Sequence, residues 1–339
     1  MTSESAFLVP EVPRVPEVPV VPARIRPVKL GYDEFDLSGV RTYPLSSRAS
    51  KARAEDFAKP WDPSTGVQGL LASLPNLLAA ADLRAVAGAI RTARAAGRPI
   101  VWGLGAHVIK TGLAPVLIDL MERGFVSAIA LNGAGLIHDF EVALSGATSE
   151  DVDGALGPGQ FGMAEETGTL LNEAVSAGVL SGAGLGQSVA SFLHVRQPPH
   201  ARLSLLCAAA RLAVPVTVHV GIGTDVIHMH PAASGEALGA GSLRDFRYFT
   251  SFVANLERGV YLNCGSAVLL PEVFLKAVSL VRNRGLSLDG LTTVNLDFVR
   301  LYRPETNVVR RPVAGTGKGY SITGHHELLI PLLAAALIS

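Results

Sequence analysis

The sequence predicts an α/β protein built on a doubly wound, mostly parallel Rossmann-like sheet. Three observations carry that expectation. Helical apolar periods alternate with short apolar strands from about residue 82 onward, and such alternation requires a parallel sheet covered on both faces. Four of the strands run into loops of glycine and small polar residues. The 339 residues are 48% hydrophobic and only 17% charged, a composition that folds and that excludes wholesale disorder.

The elements follow in order. Prolines at 10, 13, 16, 19 and 22 give VPEVPRVPEVPVVP, a period of three that suits an extended polyproline II or disordered arm over residues 1–30. Residues 31–65 read as an irregular lead-in, and residues 66–339 as a single α/β domain. A helix is expected from Asp82, its N-cap, to Ala96, with Gly97 as the stop. Pro99 to Trp102 then reads as a short buried strand. A helix over residues 108–123 stops at Gly124, and Val126 to Leu131 is the next strand. Further strands are expected at 214–220, 260–262 and 292–299, with helices near 200–212, 242–257 and 271–284.

Several function classes fall away at this stage. Lys plus Arg is 29 and Asp plus Glu is 29, so no net positive field exists to hold a nucleic-acid backbone or an anionic membrane. Apolar runs such as Leu328 to Ile338 reach about half of the ~20 residues of a bilayer span, and Met1 to Ala6 has no basic leader. The expectation is a cytoplasmic protein. Cys207 and Cys264 form neither a disulfide framework nor a C-x-x-C site.

In a doubly wound sheet, ligands bind beyond the carboxyl ends of the strands. The residues there are Gly103, Gly105, Ala106 and His107 after the first strand, and Asn132, Gly133 and Gly135 after the second. Gly221, Gly223 and Asp225 follow the third, and Gly265 and Ser266 the fourth. Glycine lets a backbone approach a ligand closely, and free N–H groups at a helix start favour phosphate, so this array suits a dinucleotide. No full G-x-G-x-x-G is present, because Val108 stands at its third glycine position. Gly315 to Gly319 fails the P-loop pattern, since Gly319 replaces its Ser or Thr.

Histidines form a second constellation, and His325-His326-Glu327 precede the expected last helix. His219, Asp225, His228 and His230 offer a metal-dependent hydrolase as an alternative function, although no H-E-x-x-H or Cys/His spacing supports it and no metal ligand is assigned. His138 follows a strand end and is a catalytic candidate. Asp139 beside it either orients His138, caps a helix or joins the cofactor site. Of six lysines, Lys318 sits between glycines in an expected loop, where a desolvated amine forms imines.

On these residues the chain resembles the deoxyhypusine synthase family, which includes homospermidine-synthase-like enzymes, from about Gly66 to the C-terminus. VWGLGAHVIKTGLAPVLIDLMERGFVSAIALNGAGLIHDFEVAL is similar to the family's first βαβ unit, and VPVTVHVGIGTDVIHMHP to its Pro-led strand and Gly-Asp loop. GVYLNCGSAVLLPEVFLKAVSLVRN and LLIPLLAAAL resemble its glycine-rich strand with following helix and its closing helix. The resemblance implies NAD at a subunit interface, a homotetramer, and an aminoalkyl transferase acting on a polyamine-related amine through a lysine imine. It assigns the nucleotide role to Gly105, Ala106, His107, Asn132, Gly133, Gly135 and Asp225. One alignment makes Lys318 the reactive lysine, whereas another places Arg311 or Pro312 there and leaves no nucleophile. His107 replaces the family's Asn, and Ile137 and His138 replace its paired acids. The expectation is therefore an NAD-dependent, homo-oligomeric transferase-like enzyme with a small-molecule amine substrate. The alternative is a nucleotide-binding module without transferase chemistry.

Overall fold

The computed structural model describes residues 31–339. The arm expected over residues 1–30 lies outside the described residues. The chain divides into two units, Met1–Lys51 and Ala52–Ser339. Within the first, the described residues are exposed and carry one 3-10 turn at Leu45–Ser47. All of the helices and strands that follow belong to the second.

Helix α1 (Gly66–Ser73) precedes α2 (Leu78–Ala95). The latter begins four residues before the expected Asp82, because Leu77 and not Asp82 is its N-cap. It ends as expected, with Gly97 at φ +63°, a left-handed turn that glycine adopts without steric cost. Strand β1 (Ile100–Leu104) is buried throughout. The helix expected over 108–123 is two pieces, α3 (Ala106–Lys110) and α4 (Ala114–Glu122). Gly112 at φ +76° turns the chain between them, and Pro115 sits in the first turn of α4, where its missing N–H costs nothing.

Strand β2 (Ala128–Asn132) leads to five helices: α5 (Gly133–Ser145), α6 (Val152–Leu156), α7 (Glu165–Leu180), α8 (Leu185–Arg196) and α9 (Leu205–Leu212). Then come β3 (Val216–His219), α10 (Gly235–Ala254), β4 (Val260–Cys264), α11 (Leu269–Asn283) and β5 (Thr292–Asp297). A short α12 (Tyr302–Pro304) widens into a π-helical turn (Glu305–Arg310), before β6 (Lys318–Thr323) and α13 (His326–Ile338) close the chain. Lys318 was expected in a loop, yet it opens a strand. That strand lies at the sheet edge with only Ile322 of its six residues buried, so it lacks the apolar run that marks an interior strand.

All six strands are parallel, in the order β3-β2-β1-β4-β5-β6. Leu104 lies opposite both Leu131 and Cys264, Cys264 opposite Leu296, Asn132 opposite His219, and Asp297 opposite Thr323. The register therefore brings every carboxyl end to one level. Two apolar cores cover the two faces. One packs Trp102, Leu104, Ile129 and Leu262 with residues of α2, α4, α5, α9 and α13; the other packs Val101, Ala130 and Tyr261 with residues of α10 and α11. Each fully buried Val, Leu or Ile among them contributes about 1.5–3 kcal/mol. Among the described residues no single helix is long and apolar enough to cross a membrane.

Candidate functional site

The strand order runs leftward from β1 to β2 and β3 and then resumes on the other side at β4, so the switch point lies between the carboxyl ends of β1 and β4. In open α/β sheets such a point is where the loops part in opposite directions and ligands bind. Gly105 and Gly265 meet there. The Gly105 N–H donates to Cys264 O at 2.8 Å, and a Cβ on Gly105 would stand 2.1 Å from Gly265 O. Gly103, one turn of the pleat earlier, is likewise packed by the chain itself, since its Cβ would lie 2.6 Å from the Tyr261 hydroxyl.

Ala106 and His107 open the five-residue α3. The His107 ring lies 5.6 Å from the ring of His326 and 6.0 Å from that of exposed Phe298. His326 is buried at the start of α13. Its Nε2 faces Leu296 O at 3.0 Å, and a carbonyl only accepts, so Nε2 carries the proton. Nδ1 is then the lone-pair nitrogen, and it is buried without a partner. Gly265, at φ +71°, makes room for this ring: a Cβ there would be 2.7 Å from His326 Cε1. Asp297, the last residue of β5, is buried beside them. Burial raises its pKa, while the N–H groups of Phe298 and Val299 and the charges of His326 and His107 oppose that rise. Ser266 serves α11, its Oγ accepting from Leu270 N at 3.2 Å.

A second group gathers over β2 and β3. Asn132 caps α5, with Oδ1 accepting from Gly135 N at 2.8 Å. Asp225 reaches the same helix start: its carboxylate accepts from Ala134 N, and a Cβ on Gly133 would lie 2.1 Å from its Oδ2. The expected phosphate cradle at α5 is thus filled by the chain's own carboxylate. Burial raises the Asp225 pKa, and the His228 charge, Thr224 and the Ala134 N–H counter it. Gly221 and Gly223 form the turn between β3 and Asp225, the Gly223 N–H donating to His228 Nδ1 at 3.1 Å.

Next to Asp225 lies a cavity of about 220 Å³, whose lining includes Lys110, His138, Glu141, Glu150 and Thr167. His138 Nδ1 bonds Thr148 Oγ1 at 2.7 Å and lies 3.7 Å from Glu141. Burial alone would raise the Glu141 pKa, but His138 and the hydroxyls of Thr148 and Thr167 together hold it below the ordinary carboxylate value.

Two expected site residues stand apart. Asp139 is fully buried, and its oxygens accept from Ser204 Oγ, from Leu205 N at 2.7 Å and from Leu206 N at 3.0 Å. It caps α9 from the flank of α5. Lys318 is exposed at the amino end of β6, opposite Thr292. Five strand residues, roughly 16 Å, separate it from the carboxyl edge, so the structure does not bring it to Gly105, Asn132 or Asp225.

The histidine constellation also disperses. His219 is buried in β3 against Phe249, its Nε2 3.1 Å from Thr217 Oγ1, and burial pushes its pKa down to about 3. His228 Nδ1 and His230 Nδ1 accept backbone N–H groups. Among the described residues no three His, Cys, Asp or Glu side chains converge as a metal site, and the hydrolase alternative loses its geometry. Asp297, Phe298 and Glu141 were not singled out from sequence, and His326 entered only within the His325-His326-Glu327 run. Asp297 fell inside the strand expected over 292–299, which ends two residues early at Asp297 itself.

No family model matches the chain, and no curated protein does. Solved structures do match. A candidate LOR/SDH protein from Methanococcus maripaludis S2 is 17% identical over 76% of this chain and 69% of its own, with a TM-score of 0.50. Unliganded AgrE is also 17% identical, over 75% of this chain and 32% of its own, with a TM-score of 0.50; AgrE has also been solved in a ternary complex with ornithine and NAD+. A candidate deoxyhypusine synthase from Entamoeba histolytica is 12% identical over 82% and 96% of the two chains, with a TM-score of 0.47. The chain spans about a third of the length of AgrE and of the cyanobacterial arginine dihydrolase ArgZ. At these identities the likeness establishes the fold.

Proposed function

We propose that this chain is an NAD-dependent enzyme that lays the dinucleotide across the carboxyl edge of its sheet and acts on a small amine. The observation that carries the reading is the switch point between β1 and β4, where His107, Asp297 and the buried, unpartnered Nδ1 of His326 gather around the Gly105–Gly265 junction. Nicotinamide chemistry needs such a site, with a group able to exchange a proton next to the place where a hydride moves. AgrE, whose fold this chain shares in part, has been captured with NAD+ and ornithine, which supports the choice of cofactor. On the β2–β3 side, Asp225 and Glu141 offer carboxylates of the kind that bind ribose hydroxyls. Around the cavity the carboxylates of Glu141, Glu150 and Asp225 face a single lysine, Lys110, a balance that favours a cationic ligand.

Covalent transfer through Lys318 has no place in this reading, because that lysine lies at the opposite end of its strand. The same fact favours, as a second reading, a nucleotide-binding module without transferase chemistry. Both readings require nucleotide. Trp102 lies in β1, two residues before its carboxyl end. Titrating nucleotide-free protein with NADH should therefore quench tryptophan emission through energy transfer to the reduced nicotinamide, and NAD+ should reverse the quenching by competition. A chain that binds neither form at millimolar concentration refutes both readings. One that binds them but oxidises no amine leaves the module.

A further inference from the structure

We infer that His138 is the residue by which the cavity beside Asp225 recognises a short alkylammonium ion. Its Nε2 accepts an N–H of the ligand, and Thr148 and Glu141 hold the ring in the tautomer that leaves Nε2 bare. The ligand class rests on the amine reading above. A chain of hydrogen bonds sets the tautomer. Burial opposes ionisation of Glu141, but His138 and the Thr148 and Thr167 hydroxyls together hold it ionised, and an ionised carboxylate only accepts. Thr148 Oγ1 therefore gives its one proton to Glu141 Oε2. What it offers His138 is a lone pair, so Nδ1, 2.7 Å away, carries the ring proton. The second lone pair of the neutral imidazole is then on Nε2, which has no hydrogen-bond partner among the described residues. His138 is not sealed in the core: its side chain is 18% exposed and lines the cavity.

The cavity limits what can meet that lone pair. At about 220 Å³ it is smaller than the ~300–1,000 Å³ of drug-sized sites, and Ile137, Phe161 and Val226 give it an apolar wall suited to a few methylenes. The charged groups around it are Lys110 of α3, Glu141 of α5, Glu150 from the loop after α5, and Asp225 beyond β3. Glu166 of α7 and Arg196 of α8 line a neighbouring cavity that shares Glu141 and Thr148. Three carboxylates against one lysine attract a cation. They already accept within the chain, Glu141 from two hydroxyls and Glu150 from Gly162 N at 2.8 Å, whereas Nε2 of His138 is uncommitted. A hydrogen bond from an ammonium to that nitrogen is charge-assisted and directional. Protonation reverses the preference, because an imidazolium has no lone pair and repels a cation.

The probe is n-butylamine, titrated into the full chain and followed by NMR. Its Kd should rise as pH falls from about 8 to about 5.5, the span in which imidazoles gain a proton, by at most about tenfold per unit. His138→Phe keeps a flat ring and loses the acceptor. At the upper end of that span it should bind n-butylamine about ten- to a hundredfold more weakly, the loss of one hydrogen bond to a charged group, and most of the slope should vanish. A flat wild-type profile, or His138→Phe binding as tightly as the wild type, overturns the inference while the amine reading stands. A wild type that binds NADH but no n-butylamine, even at high millimolar concentration, overturns both and leaves the nucleotide-binding module. Should His138→Phe not fold, His138→Gln decides, since its amide keeps an acceptor that gains no proton: binding without the slope supports the role, and a slope equal to the wild type's refutes it. Thr148→Val should weaken binding about two- to tenfold by releasing the tautomer, and Thr148→Ser should restore it. Thr148→Val binding like the wild type refutes the positioning role.

Discussion

Replacing Gly105 with Ala separates two reasons for a glycine at a strand end, room for a ligand and room for the chain. The backbone of Gly105 has φ −75° and ψ 159°, an extended conformation open to any residue, so the substitution introduces no dihedral strain. Space is the whole effect. The added carbon would begin 2.1 Å from Gly265 O, and ordinary carbon contacts lie near 3.5–4.0 Å. Backbone, unlike the end of a long side chain, has to move by more than an ångström to yield. Overpacking of that kind costs about 1–3 kcal/mol. The shift also strains the bonds from Gly105 N to Cys264 O and from Gly265 N to Leu296 O, each worth about 0.5–1.5 kcal/mol net. The expected loss is about 2–6 kcal/mol, read as a lower urea midpoint at unchanged m. Gly88→Ala in α2, where nothing lies within 4 Å, is the matched control and should gain about 0.5–1 kcal/mol. A Gly105→Ala protein as stable as wild type that no longer binds NAD+ would refute the reasoning and return Gly105 to the ligand.

Other consequences are as direct. Asp139→Asn puts an amide donor against the three donors that cap α9; it should cost about 1–3 kcal/mol in chemical denaturation and leave NADH affinity unchanged. A loss of affinity without a loss of stability would support the cofactor role expected for it. His219 has its pKa depressed by burial from 6.5 to about 3, so its contribution is present above the unfolded value of 6.5 and is lost as pH falls toward 3. Between pH 7 and 5 the wild type should lose about 2 kcal/mol more than His219→Gln does; parallel stability curves for the two proteins would refute the burial argument. Lys318→Ala, at an exposed strand start, should change stability by no more than about 0.5 kcal/mol and nucleotide affinity not at all. Borohydride trapping of an amine-derived adduct on Lys318 would overturn the placement of chemistry at the other edge.

Much of the scaffold was legible because interior parallel strands are buried on both faces. Strands β1, β2 and β4 fill with apolar residues and announce themselves without alternation. The signal fades at the edge, where β6 keeps a single buried residue and passes for a glycine loop. It fades again in α7 and α8, which are rich in Gly, Ala and Ser and show no clean apolar stripe, so neither was anticipated. Losing β6 had a consequence for the site. With its strand unplaced, His326 had no address, although the His-His-Glu run was visible.

Strand-end glycines carried the right location and an ambiguous cause. A glycine signals that something comes close, and the sequence does not say whether that is a ligand or another part of the chain. At Gly133 the close neighbour is Asp225, some ninety residues on; at Gly105 it is Gly265; at Gly265 it is His326. In each case the partner comes from a different βα turn, so the array of glycines is first a device for drawing the strand ends together. Drawing them together is also what sets two imidazoles and a buried carboxylate side by side at the switch point. Local pattern fixes where six strands must end at one level, and only the register between distant strands determines which acids and bases meet there.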